Sequence, residues 1–388
     1  MKDFLVGSEA VARAAALCKP GVISAYPITP QTIIVESLAQ MAADGRLKSQ
    51  FINVESEHSA ASAVLGAVAA GERVFTASSS QGLILMSEVL FNIAGMRMPV
   101  VLACVNRSIS APINIWNDQQ DSMAVRDSGW LQFYAESNQE AADLIIQAYR
   151  VGEDPKICLP VMVCLDGYIL SHGYETVDLP EEKAVASFLP PFRPAEKLDP
   201  ANPKSFGLLA GPDYYLEIRH DLHQANKKTL SLIPEVVSEF KKVFGRTSGG
   251  LIETYQLEDA ECVIVAAGSV CGTIKETIDA LRKEGTKTGL LRLITYRPFP
   301  GEQVYDALKN VPAIAVLDKA ISLGATGPIY ADIKTIFQGK KAIPKISGFI
   351  AGLGGRDITP DTIRDVFKRL AGPEVDDGFV GLKGVTNG

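Results

Sequence analysis

The chain has no C-x-x-C pair, only four histidines, no basic run longer than two residues and no apolar stretch of membrane-spanning length. Each absence narrows what it does. The six cysteines, Cys18, Cys104, Cys158, Cys164, Cys262 and Cys271, mostly sit in apolar surroundings such as "VVLACVN" and "PVMVCLDG". Without C-x-x-C spacing they do not build a ferredoxin-type cluster within this chain, and they read as buried structural thiols. Four histidines without ligand-like spacing argue against zinc. A net charge of −7, with no interleaving of aromatics and cations, argues against nucleic acid or an anionic membrane as the main partner. The start, "MKDFLVGSEAVARAAALCKPG", is too interrupted by charge for a signal peptide. These features together predict a soluble, cytoplasmic protein.

What is present is an ordinary globular composition, 47% hydrophobic over 388 residues, enough for two or three domains. Apolar strands alternate with helical patterns through "GVISAYPITP", "SQFINVES", "RVFTASSSQG", "MPVVLACVNRS" and "LPVMVCLDG". Continuous apolar runs separated by helices predict βαβ units and a parallel sheet over residues 1–180. Residues 181–250 form a proline-rich segment, too apolar for a free linker, followed by a helical stretch. Alternation resumes in "CVIVAAGSV", "CGTIKETIDALRKEG", "KTGLLRLITYRPFP" and "AIAVLDK", predicting a second α/β domain over 251–388.

Several strand ends carry polar loops, where open α/β sheets bind ligands. In "YPITP", Tyr26 to Pro30, two prolines stiffen a loop that offers the Thr29 hydroxyl, or make a rigid turn and nothing more. In "VESEHSAASAVLGAVAAG", Glu55 and Glu57 stand at the front of an Ala/Gly-rich helix. Charge at a helix N-terminus is worth about 0.3–1 kcal/mol and accounts for an exposed acid. A buried one there needs a specific partner, such as a protonated ring nitrogen. "TASSSQGLILM" places Ser78, Ser79, Ser80, Gln81 and Gly82 at a strand-to-helix turn, suited to helix capping or to an anion. It lacks the glycine spacing of a P-loop or a dinucleotide fingerprint. In "NRSISAPINIWNDQQDSMAVRDSGW", Arg107 emerges at a strand end as a fork for a carboxylate, or as a partner for Asp118 or Asp121. "GFIAGLGGRDIT" near the far end reads as glycine turns and packing, with anion binding at Arg356 second.

Taken in order, these blocks, with "GSEAVARAAALCKPGVISAYPITPQT" and "LAGPDYY", closely resemble the alpha subunits of the pyruvate:ferredoxin oxidoreductase (pyruvate synthase) family, from about Gly7 to Thr359. The resemblance implies a thiamine-diphosphate pyrimidine-binding domain followed by a transketolase C-terminal-like α/β domain. It implies reversible oxidation of pyruvate and coenzyme A to acetyl-CoA and carbon dioxide, with electrons passed to ferredoxin. Glu57 matches the family glutamate that hydrogen-bonds the aminopyrimidine of thiamine and favours the tautomer that deprotonates the thiazolium carbon. Thr29 and Arg107 match the residues that hold the substrate carboxylate; Glu55 matches a structural position. Tyr26, Pro27, Ile28, Ser80, Gln81 and Gly82 would line the cofactor.

Thiamine enzymes also carry a G-D-G…N-N motif for metal and diphosphate, and neither G-D-G nor N-N occurs here. Half an active site is therefore expected. A beta subunit would share the thiamine diphosphate and supply Mg2+ and a [4Fe-4S] cluster, neither ligated by this chain. Gamma and delta subunits complete the expected partners, in a dimer of heteromers. One departure stands out: family members often have a histidine in the loop after Arg107, and here "WNDQQD" has Gln119, which does not titrate. Two rival readings stay open. One is the same machinery on 2-oxobutyrate, a branched-chain or an aryl 2-oxoacid. The other is a non-catalytic structural subunit.

Overall fold

The computed structural model describes residues 2–340 and 343–384. Strands β2 (Val22–Ala25), β3 (Gln50–Asn53), β4 (Val74–Ser78), β5 (Val101–Asn106), β6 (Leu131–Tyr134) and β7 (Val161–Asp166) form one parallel sheet in the order β6-β7-β5-β4-β2-β3. Every residue of β4, β5 and β7 is buried, as continuous apolar runs demand when helices cover both faces. Because the strands are parallel, all the loops after β2, β3, β4, β5 and β7 leave from one edge. The chain runs from β2 outward to β3, then crosses back to β4 on the other side of β2. That reversal opens a crevice at the carboxyl ends of β2 and β4.

A small antiparallel ribbon, β1 (Lys2–Val6) with β8 (Tyr174–Asp178), closes the first unit. The second sheet contains β9 (Ile252–Tyr255), β10 (Cys262–Ala266), β11 (Thr288–Leu293), β13 (Ala313–Asp318), β14 (Lys345–Ile350) and β15 (Gly378–Phe379), in the order β15-β14-β13-β10-β11-β9. The intervening strand β12 (Thr295–Arg297) leaves this sheet and pairs antiparallel with β6, at the edge of the first. The sequence alone assigns "LITYRPFP" to the second domain's own strand and turn. The chain instead bends at Ile294 and stitches the two sheets together.

The stitching is apolar as well. One buried cluster runs from Val64, Leu102 and Met162 beside the first sheet to Val263, Leu291 and Ile314 of the second. The helical stretch of the connecting segment is a single helix, Pro212–Phe244, of 33 residues, with proline at its start and Gly245 at φ 74° just past its end. Its buried residues Leu222, Ala225, Thr229, Ile233, Val236 and Phe240 recur at three- and four-residue steps, one stripe that packs on the helices Asn138–Gly152 and Glu182–Phe188. Phe240 meets Phe188 edge-on, with centroids 5.5 Å apart. No helix among the described residues is long and apolar enough to cross a membrane.

Candidate active site

Glu57 is the first residue of the helix Glu57–Ala69, which begins where β3 ends. The preceding Ser56 caps it, its hydroxyl accepting the Ser59 N–H at 3.2 Å. Ala60, Ala61, Val64, Val68 and Ala69 face the core, while Ser62 and Gly66 are exposed. The cap sets the direction of the first turn, and Glu57 is thereby carried inward: it is 7% exposed. Glu55, two residues earlier, is exposed and accepts from the Ser59 hydroxyl at 2.5 Å. The two acids thus part company. Glu55 finishes the helix start, and that contact lowers its pKa. Glu57 is buried, and no described residue hydrogen-bonds or ion-pairs with its carboxylate.

The Glu57 carboxylate lies against the turn after β4. A Cβ on Gly82 would fall 2.6 Å from Glu57 Oε1 and 2.7 Å from Ser78 Oγ, so a larger residue there would displace the Glu57 side chain. Three buried polar atoms around this turn, Ser78 Oγ, Ser79 Oγ and Gln81 Nε2, have no hydrogen-bond partner among the described residues. Buried polar groups are ordinarily satisfied. A buried, unpartnered carboxylate beside unpartnered hydroxyls and an amide is the donor and acceptor set that a polar aromatic ring requires. Ser80 differs from its neighbours. Its backbone N–H donates to Asp121 Oδ2 at 2.9 Å, and its hydroxyl lies against Ser108 O and Gln81 Oε1. Among Ser80, Gln81 and Gly82, the free donor belongs to Gln81.

Thr29 follows β2, exposed in the loop with Tyr26 and Pro27, whereas Ile28 is half-buried. Gln31 pins this loop to the sheet by donating from Nε2 to Tyr26 O at 3.0 Å and Ala77 O at 2.9 Å. Arg107, 6% exposed, reaches it from the end of β5: Nη1 donates to Thr29 O at 2.9 Å and Nε to Asn114 O at 3.0 Å. Neither Asp118 nor Asp121 forms an ion pair with the guanidinium. Asp121 instead accepts the Arg107 backbone N–H at 3.0 Å, and Asp118 accepts from Gln120 and Gly354 N–H groups. Burial lowers the Arg107 pKa. The result is a buried cation held by two carbonyls, with no ion-pair partner among the described residues. Thr29, Glu57, Arg107 and the Ser78–Gly82 turn all stand at the same edge of one sheet.

Residues 13–238 match the family model described as pyruvate flavodoxin/ferredoxin oxidoreductase, thiamine diphosphate-binding, and residues 260–363 match the pyruvate:ferredoxin oxidoreductase core domain II. The chain belongs to the pyruvate flavodoxin/ferredoxin oxidoreductase family. It is 51% identical over 376 residues to the pyruvate synthase subunit PorA of Methanothermobacter thermautotrophicus, covering 97% of both chains. It is 44% identical to the ketoisovalerate oxidoreductase subunit VorA of Pyrococcus horikoshii, covering 94% of this chain and 92% of that one. Among solved structures, a 2-oxoglutarate:ferredoxin oxidoreductase from Magnetococcus marinus superposes with a TM-score of 0.72 at 20% identity, covering 95% of this chain and 65% of that one. A split-gene transketolase superposes at 0.54 with 12% identity, covering 95% and 98%. With the thiamine diphosphate-binding family model, these likenesses establish the fold: a thiamine-diphosphate-enzyme sheet followed by a transketolase-like α/β unit. The chain is an alpha-type subunit of a 2-oxoacid:ferredoxin oxidoreductase.

Two features of this oxidoreductase subunit escape a sequence reading. The first is Asp121, fully buried beneath the site. Its Oδ2 accepts from Ser80 N and Arg107 N, and its Oδ1 from Asn106 Nδ2 and Ser122 N, both at 2.8 Å. Burial pushes its pKa up to about 6 while those donors pull it down. One carboxylate therefore fixes the ends of β4 and β5 relative to each other. In the sequence it is merely one of two acids, with Asp118, in the loop after Arg107. The second is the seam between the two units. Lys319 Nζ lies 3.1 Å from Asp166 Oδ2 and also contacts Asn117 Oδ1, with all three side chains buried. Ser269 donates its N–H to Asp166 at 2.9 Å.

Gln119 lies in this seam. Its Nε2 donates to Ala267 O at 3.1 Å and its N–H to Lys319 O at 2.8 Å, so its side chain is turned to the second sheet and away from Thr29 and Arg107. The glycine-rich "GFIAGLGGRDIT" segment docks here too. Gly355 N–H donates to Asn117 O at 2.6 Å, and a Cβ on Gly355 would lie 2.4 Å from Trp116 Cβ. Its glycines serve packing within the chain, holding the loop that follows Arg107.

Proposed function

We propose that this subunit acts on pyruvate, with coenzyme A and ferredoxin, and contributes half of a thiamine-diphosphate site. One observation carries the reading. A buried carboxylate without a partner, Glu57, and a buried guanidinium without an anion, Arg107, stand at the same sheet edge. Both costs are hard to account for in a folded chain unless ligands answer them. The bound cofactor supplies the nucleophilic carbon that labilises the bond between a 2-oxoacid's carboxylate and carbonyl carbons.

In this reading Glu57 accepts a hydrogen bond from the protonated aminopyrimidine nitrogen and holds that proton in place. In an apolar cleft such a charge-assisted bond is strengthened. Ser78, Ser79 and Gln81 offer the remaining polar contacts to the ring, and Gly82 leaves the space that the Glu57 side chain occupies. Tyr26, Pro27 and Ile28 form the wall above it. Arg107 and the Thr29 hydroxyl hold the substrate carboxylate, and orienting it is this chain's main contribution to the chemistry. Diphosphate, Mg2+ and the [4Fe-4S] clusters belong to the other subunits: beta for the shared cofactor, gamma and delta beside it, in a dimer of heteromers in the cytoplasm. The division into 1–180, 181–250 and 251–388 is part of the same proposal; the two sheets and the second matched segment, 260–363, support its last boundary, while the first matched segment runs through 180 to 238.

The test is the chain co-expressed anaerobically with its neighbouring subunits and assayed for coenzyme A-dependent viologen reduction across pyruvate, 2-oxobutyrate, 2-oxoisovalerate and an aryl 2-oxoacid. Pyruvate should give the highest kcat/KM, and Glu57→Gln should lower it by about a hundredfold or more, the scale of lost proton-transfer catalysis. Preference for 2-oxoisovalerate, the branched-chain alternative raised by the VorA relative, would overturn the substrate but keep the machinery. Full activity of Glu57→Gln would make this a structural subunit.

A further inference from the structure

The long helix Pro212–Phe244 buries only one stripe, and beside the opposite end of that stripe lies a cleft of about 460 Å3. One wall is the helix itself, through Arg219, Leu222, His223, Asn226, Lys227 and Leu230. The other is the loop after Val125 and the turn after β12, through Arg126, Trp130, Arg297 and Phe299. Trp130 is buried and already satisfied, its Nε1 donating to Leu90 O at 2.9 Å. The cleft therefore has an apolar floor and a cationic rim. Asp127 is the one acid among the residues lining it.

The cations of that rim are poorly matched within the chain. The side chains of Arg219 and Lys227 make no hydrogen bond or ion pair with any described residue. Arg126 donates only to Met123 O, at 2.8 Å. Arg297 alone is neutralised, by Asp332 at 2.9 Å. This stands out in a chain with a net charge of −7. At 100° per residue the nearby acids Asp213, Glu217 and Asp221 project from the other side of the helix, and Asp221 is occupied by Arg97 at 2.7 Å.

The apolar character continues past the cleft. Three and four residues before Arg219 on the same helix face stand Leu216, 73% exposed, and Tyr215, 58% exposed. The segment leading into the helix exposes Leu208 and Leu209, the latter completely. Large apolar side chains presented together beside a polar rim mark an interaction surface. Tyrosine and arginine, both present here, are the residue types that dominate such contacts.

We propose that this face, the Arg126–Arg219–Lys227 cleft with Tyr215 and Leu216 at its end, receives an acidic segment with apolar anchors from another subunit of the same oxidoreductase. The partner's carboxylates lie along the cationic rim and its apolar side chains cover Leu216 and Tyr215. The surface lies away from Thr29, Glu57 and Arg107, so it serves assembly and not the reaction. The inference rests on the chain's being one subunit of a larger enzyme.

The test places a photo-crosslinking amino acid at position 216 in the co-expressed complex and identifies the attached peptide by mass spectrometry. A second arm measures subunit dissociation of the complex carrying Arg219→Glu and Lys227→Glu. The expected result is a crosslink to an Asp/Glu-rich peptide of a different subunit. In the wild type, dissociation should rise with salt; in the double variant the Kd for subunit dissociation should be at least tenfold higher, so that the complex falls apart at tenfold higher protein concentration. A crosslink to a second copy of this chain would overturn the proposal, as would no crosslink at 216 together with unchanged dissociation of the double variant. Viologen reduction by the assembled wild type serves as the separate check on the catalytic reading, since neither substitution touches that site.

Discussion

Gly82 and Glu57 are in direct register across the crevice: a methyl group on Gly82 would sit 2.6 Å from one Glu57 oxygen and 2.7 Å from its Cγ. The atoms it would strike belong to side chains, so Gly82→Ala displaces Glu57 and leaves the backbone in place. Alanine is also the better helix former, by up to about 1 kcal/mol. The variant should therefore fold normally and lose activity. A displacement on the order of 1 Å at a proton-holding group costs about a hundredfold. The coupled measurement is decisive. In a Glu57→Gln background Gly82→Ala should add little further loss in viologen reduction. Additive losses would mean that Gly82 acts on something other than Glu57.

Arg107 gives the substrate prediction. Its guanidinium already spans Thr29 O and Asn114 O, leaving one further nitrogen for an anion. Lysine keeps the charge and loses the fork. Arg107→Lys should raise the KM for the 2-oxoacid by about tenfold to a hundredfold, the scale of one or two hydrogen bonds to a charged group, with a smaller effect on kcat. Steady-state kinetics on the assembled complex read this directly. An unchanged KM would remove Arg107 from the substrate site.

A pH prediction comes from Asp318, at the end of β13. It is fully buried, accepts the N–H groups of Ile329 and Tyr330 at 2.9 and 3.0 Å, and is pushed by burial up to about 7. In the unfolded chain an aspartate titrates near ~3.9. Between those values the folded protein holds a proton that the unfolded chain has lost. Asp318 therefore stabilises most below pH ~4 and loses that contribution as pH rises through about 7, by at most roughly 1.4 kcal/mol per unit. Asp318→Asn lacks this titration. Its stability relative to the wild type, from unfolding midpoints at pH 5 and pH 8, should improve at the higher pH. A difference independent of pH would mean that Asp318 does not titrate in this range.

The sequence made the first sheet legible because its central strands are continuous apolar runs, which admit few other structures. Glu57 stood out for a related reason: an acid at the front of an Ala/Gly helix contradicts its surroundings. Strand β6 was hidden because "LQFY" is four residues long and its burial depends on β7 and β12 on either side. β12 was misplaced because its partner lies more than 150 residues away in the chain. The seam was the least legible part. Asp166 at the end of β7 and Lys319, Asn117 and Ser269 in three separate loops lie far apart in the chain, and only folding brings them together. Asp121 was visible as a charge near Arg107. That it grips the main chain of two strand ends depends on how the intervening loop folds back.

The seam also supports the last prediction. Asp166 is fully buried, and burial alone would raise its pKa, yet the Lys319 charge and the hydrogen bonds from Ser269 and Asn117 outweigh that and hold it below the usual carboxylate range. Lys319→Met removes the charge and most of the compensation. An unpaired buried carboxylate costs about 3–5 kcal/mol, so the variant should unfold several degrees below the wild type. The sign with pH separates this cause from lost packing. In the wild type the depressed pKa stabilises above the unfolded value near ~3.9 and is lost only as pH falls through the lower folded value. In Lys319→Met the same carboxyl is raised, and protonation relieves its cost. The variant's deficit should therefore shrink as pH is lowered from 8 towards 5, and Asp166→Asn in the same background should recover part of it at pH 8. A deficit constant with pH would assign the loss to packing between the two units and leave the ion pair without a stabilising role.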